Sequence, residues 1–333
     1  VAVSGARAAD AVIIPEPEVV EYVRVCDAAG TGFFYIPGSE TCLKIGGYAR
    51  FEIKSDWYDD GDDAATFFSR GALQVSSWTD SEYGPVKTFF EYHMDSDRTE
   101  DNDVADAYVN QVYFTIAGLK MGYFEGFLDN GINGESDSSG LNSKFDSIQY
   151  TGTAGAVSFG VAIDELYNDE GVWTDWYGAE FGIEAMLGFS AGAIDAQIIG
   201  FYDVYYESFG VNARVSADVG AGTLQARGIW VEDKYSGYVS DYGNNGWSGP
   251  AKWVAEVSYA MPVGDKLTLT PGFSYREYYG DDTKWKAGLT ADYDITETLA
   301  LKTSLQYTDF NDDWNSNLDY NGWDFLARFT ASF

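Results

Sequence analysis

Long apolar segments, basic residues and histidine are scarce in this chain. The 333 residues contain no run of about 18 apolar residues, which excludes helical membrane spans. Lysine and arginine number 20 against 53 aspartates and glutamates. The resulting formal charge of −33 argues against nucleic-acid binding, which requires basic patches. A single histidine, His93, leaves little material for acid–base catalysis on imidazole.

What the chain has in quantity is glycine and aromatic residues. Glycine numbers 37 against 7 prolines, and aromatic residues make up 17% of the sequence. This composition is typical of strands and turns, and it is too rich in aromatics for a disordered chain.

The first residues are typical of the end of an export signal. Residues 1–5 resemble the close of an apolar h-region, and Ala6-Arg7-Ala8 fits a small-x-small cleavage pattern. We therefore interpret residues 1–8 as a signal-peptide remnant, with an ordinary polar N-terminus as the alternative. Residues 9–42 then form an irregular periplasmic lead-in, and residues 43–333 form the main domain.

The two cysteines, Cys26 and Cys42, agree with export. In an oxidising compartment they are expected to form a disulfide, which would contribute roughly 3 kcal/mol by closing a loop of this size. Two free buried thiols are the alternative.

Apolar and polar residues alternate along most of the chain. In residues 322–333 every odd position from Trp323 to Phe333 is apolar, whereas the even positions are mostly polar, with Leu326 an exception. A period of two predicts extended strands with one apolar and one polar face. The predicted strands are 43–54, 66–77, 86–94, 105–116, 119–125, 144–152, 155–164, 178–190, 193–204, 209–219, 222–231, 250–261, 266–277, 284–294, 298–308 and 322–333.

The predicted connections alternate between short and long. This alternation over an even number of antiparallel strands is typical of a transmembrane barrel, and each strand is close to the length of a tilted bilayer crossing. We therefore predict an all-β fold, a 16-stranded antiparallel transmembrane β-barrel with short periplasmic turns and long extracellular loops. At about sixteen strands the interior is too wide for side chains to fill, so a water channel is expected.

Most basic residues fall on the polar face of the predicted strands. In a soluble β-sandwich that face would be the solvated outside, and the alternation alone does not distinguish the two architectures. Tyrosine and tryptophan near the strand ends of the other face favour the barrel, because aromatic girdles mark the two membrane interfaces.

One N-terminal segment carries a family resemblance. Residues 21–51, with VCDA and the run GFFYIPGSETCLKIGGY, together with the C-terminal Phe333, resemble the alphaproteobacterial (rhizobial-type) general porins. The resemblance implies a homotrimeric barrel in the outer membrane of a Gram-negative bacterium, passive diffusion of small hydrophilic solutes, and no cofactor. It also implies that Phe333 belongs to a signal read by the barrel assembly machinery.

Residues 122–143 resemble the inward-folded third loop of trimeric porins. Opposed charges across a narrow waist would filter solutes by size and charge. The loop lacks the PEFGG motif of enterobacterial porins, so its residues correspond by position and charge alone. The expected acidic loop residues are Glu125, Asp129, Glu135 and Asp137. The expected basic wall residues are Arg50, Lys54, Arg70, Lys87, Lys302 and Arg328.

Other functions remain open at this stage. A substrate-specific channel for anions would need a dominant basic ladder, and one for sugars would need an aromatic track along the lumen. Phe89, Tyr113 and Phe124 are candidates for inward positions, but they do not form an obvious track. A barrel serving as an anchor or adhesin would have a plugged lumen. His93 and Asp95 share a strand face, but no second acidic pair or substrate cleft is identifiable, so we do not expect an enzyme.

The acidic residues cluster in loops at the mouth of the predicted barrel. The segments 56–63, 95–103 and 309–319 resemble calcium loops only loosely, so no protein metal site is predicted. Divalent cations bridging these loops to lipopolysaccharide phosphates fit the expected environment better. The negative mouth also predicts weak cation selectivity, strongest at low salt.

Overall fold

The computed structural model describes residues 24–58, 64–96, 106–137, 140–166, 180–234, 236–239, 251–311 and 319–333. Strands dominate these residues, with one short 3-10 helix at Asp27–Ala29. No helix among them is long and apolar enough to cross a membrane. The strands are β1 Phe34–Tyr35, β2 Cys42–Tyr58, β3 Ala64–Thr79, β4 Val86–Ser96, β5 Asp106–Ile116, β6 Leu119–Glu125, β7 Lys144–Ala154, β8 Val157–Leu166, β9 Glu180–Ala191, β10 Ile194–Asp203, β11 Ser208–Val219, β12 Gly222–Val231, β13 Ala251–Val263, β14 Leu267–Tyr278, β15 Thr283–Asp294, β16 Leu299–Asn311 and β17 Tyr320–Ser332.

Sixteen of these strands close into a barrel. From β2 to β17 each strand pairs antiparallel with the next, and β17 returns to pair with β2. Arg328 lies opposite Glu52 in this closing pair, and Ala331 lies opposite Ala49. The predicted 16-stranded antiparallel barrel is therefore confirmed. The two-residue β1 lies outside the ring and pairs with the start of β2, and its Phe34 also forms an isolated bridge with Val25.

The barrel has its polar residues inside and its apolar residues outside. Ile148 and Val161 are each 54% exposed on the outer face, whereas Asp164 and Glu184 on the inner face are 1% and 0% exposed. A large exposed apolar surface is untenable in water but suits lipid. This arrangement excludes the soluble sandwich that the alternation alone left open.

The strict alternation of short and long connections is wrong at two places. Residues 204–207 and 279–282 lie at the long-loop end of the barrel, yet each connection has only four residues. Asp203 Oδ1 accepts hydrogen bonds from the backbone N–H groups of Tyr205 and Tyr206, which stabilises the first turn. In the second, the Tyr278 N–H donates to the Asp282 carbonyl and extends β14 beyond its predicted end.

A disulfide ties the N-terminal segment to the first barrel strand. Cys26 and Cys42 are bonded, fully buried and 6.0 Å apart at Cα, which confirms the predicted bridge. The Cys26 N–H donates to the Phe33 carbonyl, and Phe34 pairs with Leu43. The described part of the lead-in is thus a small hairpin fastened to β2. The proposed signal remnant at residues 1–8 and the lead-in up to residue 23 lie outside the described residues.

Replacing both cysteines is expected to loosen this hairpin without opening the barrel. A bridge spanning 16 residues contributes about 3 kcal/mol to the segment it closes. In the Cys26→Ser, Cys42→Ser variant, the amides of β1 should exchange with deuterium much faster, while those of β10 keep their protection. Unchanged protection of β1 would show that the backbone hydrogen bonds alone hold the hairpin.

Candidate functional site

The connection between β6 and β7 folds into the barrel instead of leaving it. We call residues 126–137 the inner loop. Its backbone and side chains contact inner residues of β10, β11, β12, β15, β16 and β17. These strands lie across the ring from the loop's point of origin, so the loop crosses the lumen and runs along the far wall.

The beginning of the inner loop is held by apolar packing. Phe127 and Leu128 are buried in an apolar cluster on the inner wall, and Phe127 lies against Gly160, where any side chain would collide with its ring. Burial of the two side chains stabilises this end by about 2 kcal/mol each. The other buried members of the cluster are Leu141, Phe145, Ala162, Leu166, Ile199, Phe201, Ile229, Val231, Tyr238, Val239, Ala251 and Val254.

Amide hydrogen bonds hold the middle of the inner loop. Asn130 donates to Gln197 Oε1 at 3.1 Å and accepts from Asn212 Nδ2 at 2.7 Å. Arg214 then donates to the Gly131 carbonyl at 3.1 Å. These contacts pair polar groups of the loop with polar groups of the wall, so they fix the height of the loop in the lumen.

The tip of the inner loop, at Glu135 and Ser136, is hydrogen-bonded to inner residues of the wall. The Glu135 N–H donates to Thr290 Oγ1 at 3.0 Å, and Ser136 Oγ donates to Gln306 Oε1 at 2.7 Å. Gly272 makes room for the tip, because a Cβ there would lie 2.6 Å from Ser136 Oγ. The loop can occupy this position only because residue 272 has no side chain.

Glu135 connects the tip of the loop to the seam of the barrel, where the last strand β17 pairs with β2. Its Oε1 lies 3.0 Å from Lys302 Nζ and 3.2 Å from an Arg328 nitrogen. Arg328 Nε also donates to Glu52 Oε1 at 2.6 Å, and Glu52 is only 2% exposed. Two predicted wall cations are therefore direct partners of a predicted loop carboxylate, through strands β16 and β17.

Asp137 makes a second, longer contact with the wall. Its carboxylate lies 3.9 Å from Arg227, which is itself paired with the buried Glu256 at 2.6 Å. Burial, together with the Glu256 charge, raises the pKa of Asp137, while the Arg227 charge opposes the rise. Because Arg227 has a closer partner, Asp137 is a weaker anchor than Glu135.

The other predicted loop carboxylates have different surroundings. Glu125 lies at the end of β6, 3.4 Å from Lys144, and accepts from Gln111 at 3.2 Å. Asp129 is exposed. Glu125 therefore belongs to the foot of the loop and not to its tip.

Three predicted wall cations lie on β2 and β3, each beside a carboxylate of the wall. Arg50 and Lys54 lie 3.7 and 3.3 Å from Glu52. Arg70 makes two hydrogen bonds of 2.7 Å to Asp95. This wall was expected to be basic, but carboxylates within the same wall balance much of its charge.

Lys87 is not brought near the inner loop. It pairs across the sheet with Trp78, which in turn pairs with Cys42 at the start of β2. Lys87 is thus at the end of the barrel that carries the short turns, whereas Arg50 and Lys54 lie further along β2.

The direct partners of His93 and Asp95 are other residues, and the Tyr108 hydroxyl lies between them. The His93 ring contacts Glu91 at 3.0 Å and Tyr48 at 3.3 Å, while Asp95 is taken by Arg70. His93 is 3% exposed, so it is a buried member of a wall network rather than a residue at the pore rim.

The inward aromatics are closer together than their sequence positions suggested. The Phe89 and Tyr113 rings lie 5.3 Å apart, and those of Tyr113 and Phe124 lie 5.7 Å apart. Lys120 Nζ covers both, at 4.3 Å from the Tyr113 ring and 3.9 Å from the Phe124 ring. Because the Lys120 ammonium group covers the Tyr113 and Phe124 rings, little aromatic surface is left there for a sugar to stack on.

Two residues of the site were not indicated by the sequence. Glu52 neutralises the seam and Arg227 holds Asp137, yet both resemble ordinary lumen charges. The one available signal was at Glu52, a carboxylate between Arg50 and Lys54 on the same strand face.

Comparison with known proteins gives consistent matches. A family model described as Porin subfamily matches residues 10–327. Outer membrane protein IIIA of Rhizobium leguminosarum bv. viciae is 35% identical over 335 residues, covering 94% of this chain and 87% of that protein. Porin Omp2b of Brucella neotomae is 31% identical over 369 residues, covering 100% of this chain and 96% of that protein.

Solved structures match at the level of fold. The outer membrane channel DcaP of Acinetobacter baumannii superposes with a TM-score of 0.69 at 12% identity, covering 90% of this chain and 99% of the other. The trimer form of OmpT, an outer membrane protein of Vibrio cholerae, gives a TM-score of 0.59 at 12% identity, with coverages of 88% and 100%.

Proposed function

Because this chain belongs to the Porin subfamily and forms a 16-stranded outer-membrane barrel, we propose that it filters small hydrophilic solutes and ions at a constriction between the inner loop and the β2–β3 wall. The family and its curated relatives establish an outer-membrane porin channel. The constriction and its selectivity are the proposal.

The observation that carries the proposal is the path of the inner loop. Its described contacts seat it on β10–β12 and β15–β17, and apolar packing fills the space behind its first residues. The free passage is then bounded by the loop on one side and by Arg50, Lys54 and Arg70 on the other. Fixed charges on both sides of a narrow passage act strongly on ions, because the surrounding protein has a low dielectric constant.

Planar-bilayer recording tests this function directly. Purified protein should give a stable ohmic current in potassium chloride, and uncharged sugars above a cut-off size should fail to permeate vesicles that carry it. A sealed barrel with no current would point to the anchor or adhesin role. Saturation of transport by one sugar or anion would point to a substrate-specific channel.

We expect the channel to be weakly selective for cations over anions. Acidic residues outnumber basic ones by 53 to 20, and the described wall cations of β2 and β3 are paired with carboxylates. The permeability ratio of K⁺ to Cl⁻ should therefore exceed one, by about twofold to fivefold at 10 mM salt, and approach one near 1 M, where the screening length falls to about 3 Å. Reversal potentials under a salt gradient measure this ratio, and a preference for chloride would overturn it.

We further propose that the protein is a homotrimer whose acidic loops bind lipopolysaccharide through divalent cations. The trimer form of the structural neighbour and the net charge of −33 support this assembly. Removing the cations with a chelator should lower the temperature at which the trimer dissociates on a gel, and magnesium should restore it. Equal dissociation temperatures with and without chelator would argue against the bridges. The role of Phe333 as an assembly signal stays a prediction from the resemblance.

A further inference from the structure

A cavity of about 290 Å³ lies inside the barrel against the tip of the inner loop. Its charged lining comprises Lys54, Lys284, Lys286, Arg328, Asp56, Asp324 and Glu135. Lys284 and Lys286 precede Thr290 on β15 and lie between the loop tip and the long-loop end of the barrel. A solute entering from outside would therefore meet this cavity before the constriction.

The two lysines of β15 differ from the cations that hold the inner loop and the neighbouring wall. Arg70, Arg227 and Lys302 each have a carboxylate within 3.0 Å. Among the described residues, no carboxylate lies within the 4.0 Å ion-pair distance of Lys284 or Lys286. Lys284 Nζ lies 5.8 Å from the Tyr320 ring, and Lys286 is half-buried.

Two of the three acidic residues of the cavity lining, Asp324 and Glu135, have partners other than the two lysines. Asp324 accepts hydrogen bonds from the Tyr58 hydroxyl and, at 2.8 Å, from Thr308 Oγ1. Glu135 is bound by Lys302 and Arg328. Asp324 and Asp137 add negative charge near Lys286. Among the described residues, however, no carboxylate makes an ion pair with either lysine, so both ammonium groups of the cavity lining lack an ion-pair partner.

Partly buried ammonium groups without a partner favour a bound anion, since desolvation makes an isolated charge costly. Lys284 and Lys286 are two residues apart on one strand face, so their Cα atoms are about 7 Å apart. Two cations at that spacing suit a tetrahedral oxyanion, which offers acceptor oxygens in several directions, better than they suit chloride. Lysine binds phosphate groups as a compact point charge with three donor hydrogens.

We propose that Lys284 and Lys286 form a binding site for a small phosphate-class oxyanion at the entrance of the constriction. The site rests on the proposed open channel. It would concentrate phosphate or a small phosphate ester inside a channel whose overall charge favours cations. The cavity volume admits a phosphate group with part of its hydration shell and no large ligand.

The test is block of current by phosphate in planar bilayers at constant ionic strength. Inorganic phosphate should reduce the potassium chloride current in a saturable way, with half-effect on the order of millimolar. Lys286→Gln and Lys284→Gln should each raise the half-effect concentration about tenfold, the size expected for one charge-assisted contact. Lys286→Arg should keep most of the effect because it keeps the charge.

Lys252→Gln is the matched control. It removes the same charge from β13, where Lys252 already has a partner, Glu277 at 3.5 Å. This variant should leave the phosphate effect unchanged. An ordinary current with no saturable phosphate effect, or an effect that persists in both glutamine variants, would overturn the site alone, whereas absence of any current would overturn the channel itself.

A second arm identifies the source of the phosphate group. Glycerol phosphate is compared with inorganic phosphate on the unmodified protein. A similar or lower half-effect concentration for the ester assigns the site to phosphate esters, and an effect of inorganic phosphate alone assigns it to the free ion. Both results support the site.

Discussion

Arg328→Gln is expected to lower the free energy of unfolding of the barrel by about 3 kcal/mol, because it leaves the buried Glu52 without its closest cation. Arg328 Nε lies 2.6 Å from Glu52, and their side chains are 21% and 3% exposed. Arg50 and Lys54 remain at 3.7 and 3.3 Å, which keeps the expected cost at the lower end for a broken buried pair. The measurement is denaturant unfolding in lipid vesicles, followed by tryptophan fluorescence.

A double-mutant cycle separates the ion pair from other roles of the arginine. Replacing Glu52 by Gln as well removes the stranded charge, so the double variant should recover much of the loss. Lys252→Gln breaks a more exposed pair and should change the stability by no more than about 0.5 kcal/mol. If Arg328→Gln and Lys252→Gln lowered the free energy of unfolding equally, the Arg328–Glu52 pair would contribute no more to stability than an exposed ion pair.

Shortening the inner loop is expected to enlarge the channel. Replacing residues 131–137 with Gly-Ser-Gly removes the segment that reaches Gln225, Thr290, Gln306 and the seam cations. With that segment gone, the lumen is bounded at this height by the wall alone, and single-channel conductance should rise by at least about twofold. Larger sugars, excluded by the unmodified protein, should then enter vesicles.

A point variant supports the interpretation of that experiment. Gly272→Val places a side chain where Ser136 lies, so it should displace the tip and make the current noisy. Gly200→Ala is its control, because nothing lies within 4 Å of a Cβ at that position. Conductance that stays unchanged in the shortened loop would mean that the narrowest point of the channel lies elsewhere.

The barrel was predictable because it depends on local alternation. Apolar residues recur at alternate positions along most of the sixteen strands, because lipid on one side favours that pattern. The disulfide was predictable for a similar reason, since two cysteines allow one pairing. The pattern breaks between Glu91 and Tyr92, where a register shift lets both Asn110 and Gln111 contact inner residues.

The path of the inner loop was not predictable in detail. Its position depends on a gap at Gly272 and on amide and hydroxyl partners such as Gln225 and Thr290, which lie 92 and 155 residues away. None of these residues has a distinctive local pattern. The prediction from charge therefore included Lys87 among the wall residues of the constriction. The same criterion did not distinguish Lys284 or Lys286 from the other basic residues of the strands.

The contacts of Glu135 also constrain the order in which the molecule can be completed. Its two cations belong to β16 and β17, and Arg328 meets Glu52 only when the last strand lies against the first. The tip of the inner loop, although made early in the chain, cannot reach its full set of partners until the ring is shut. On the proposed constriction, narrowing of the channel is therefore a late event of biogenesis, because the strand that closes the ring also completes the contacts of the loop tip.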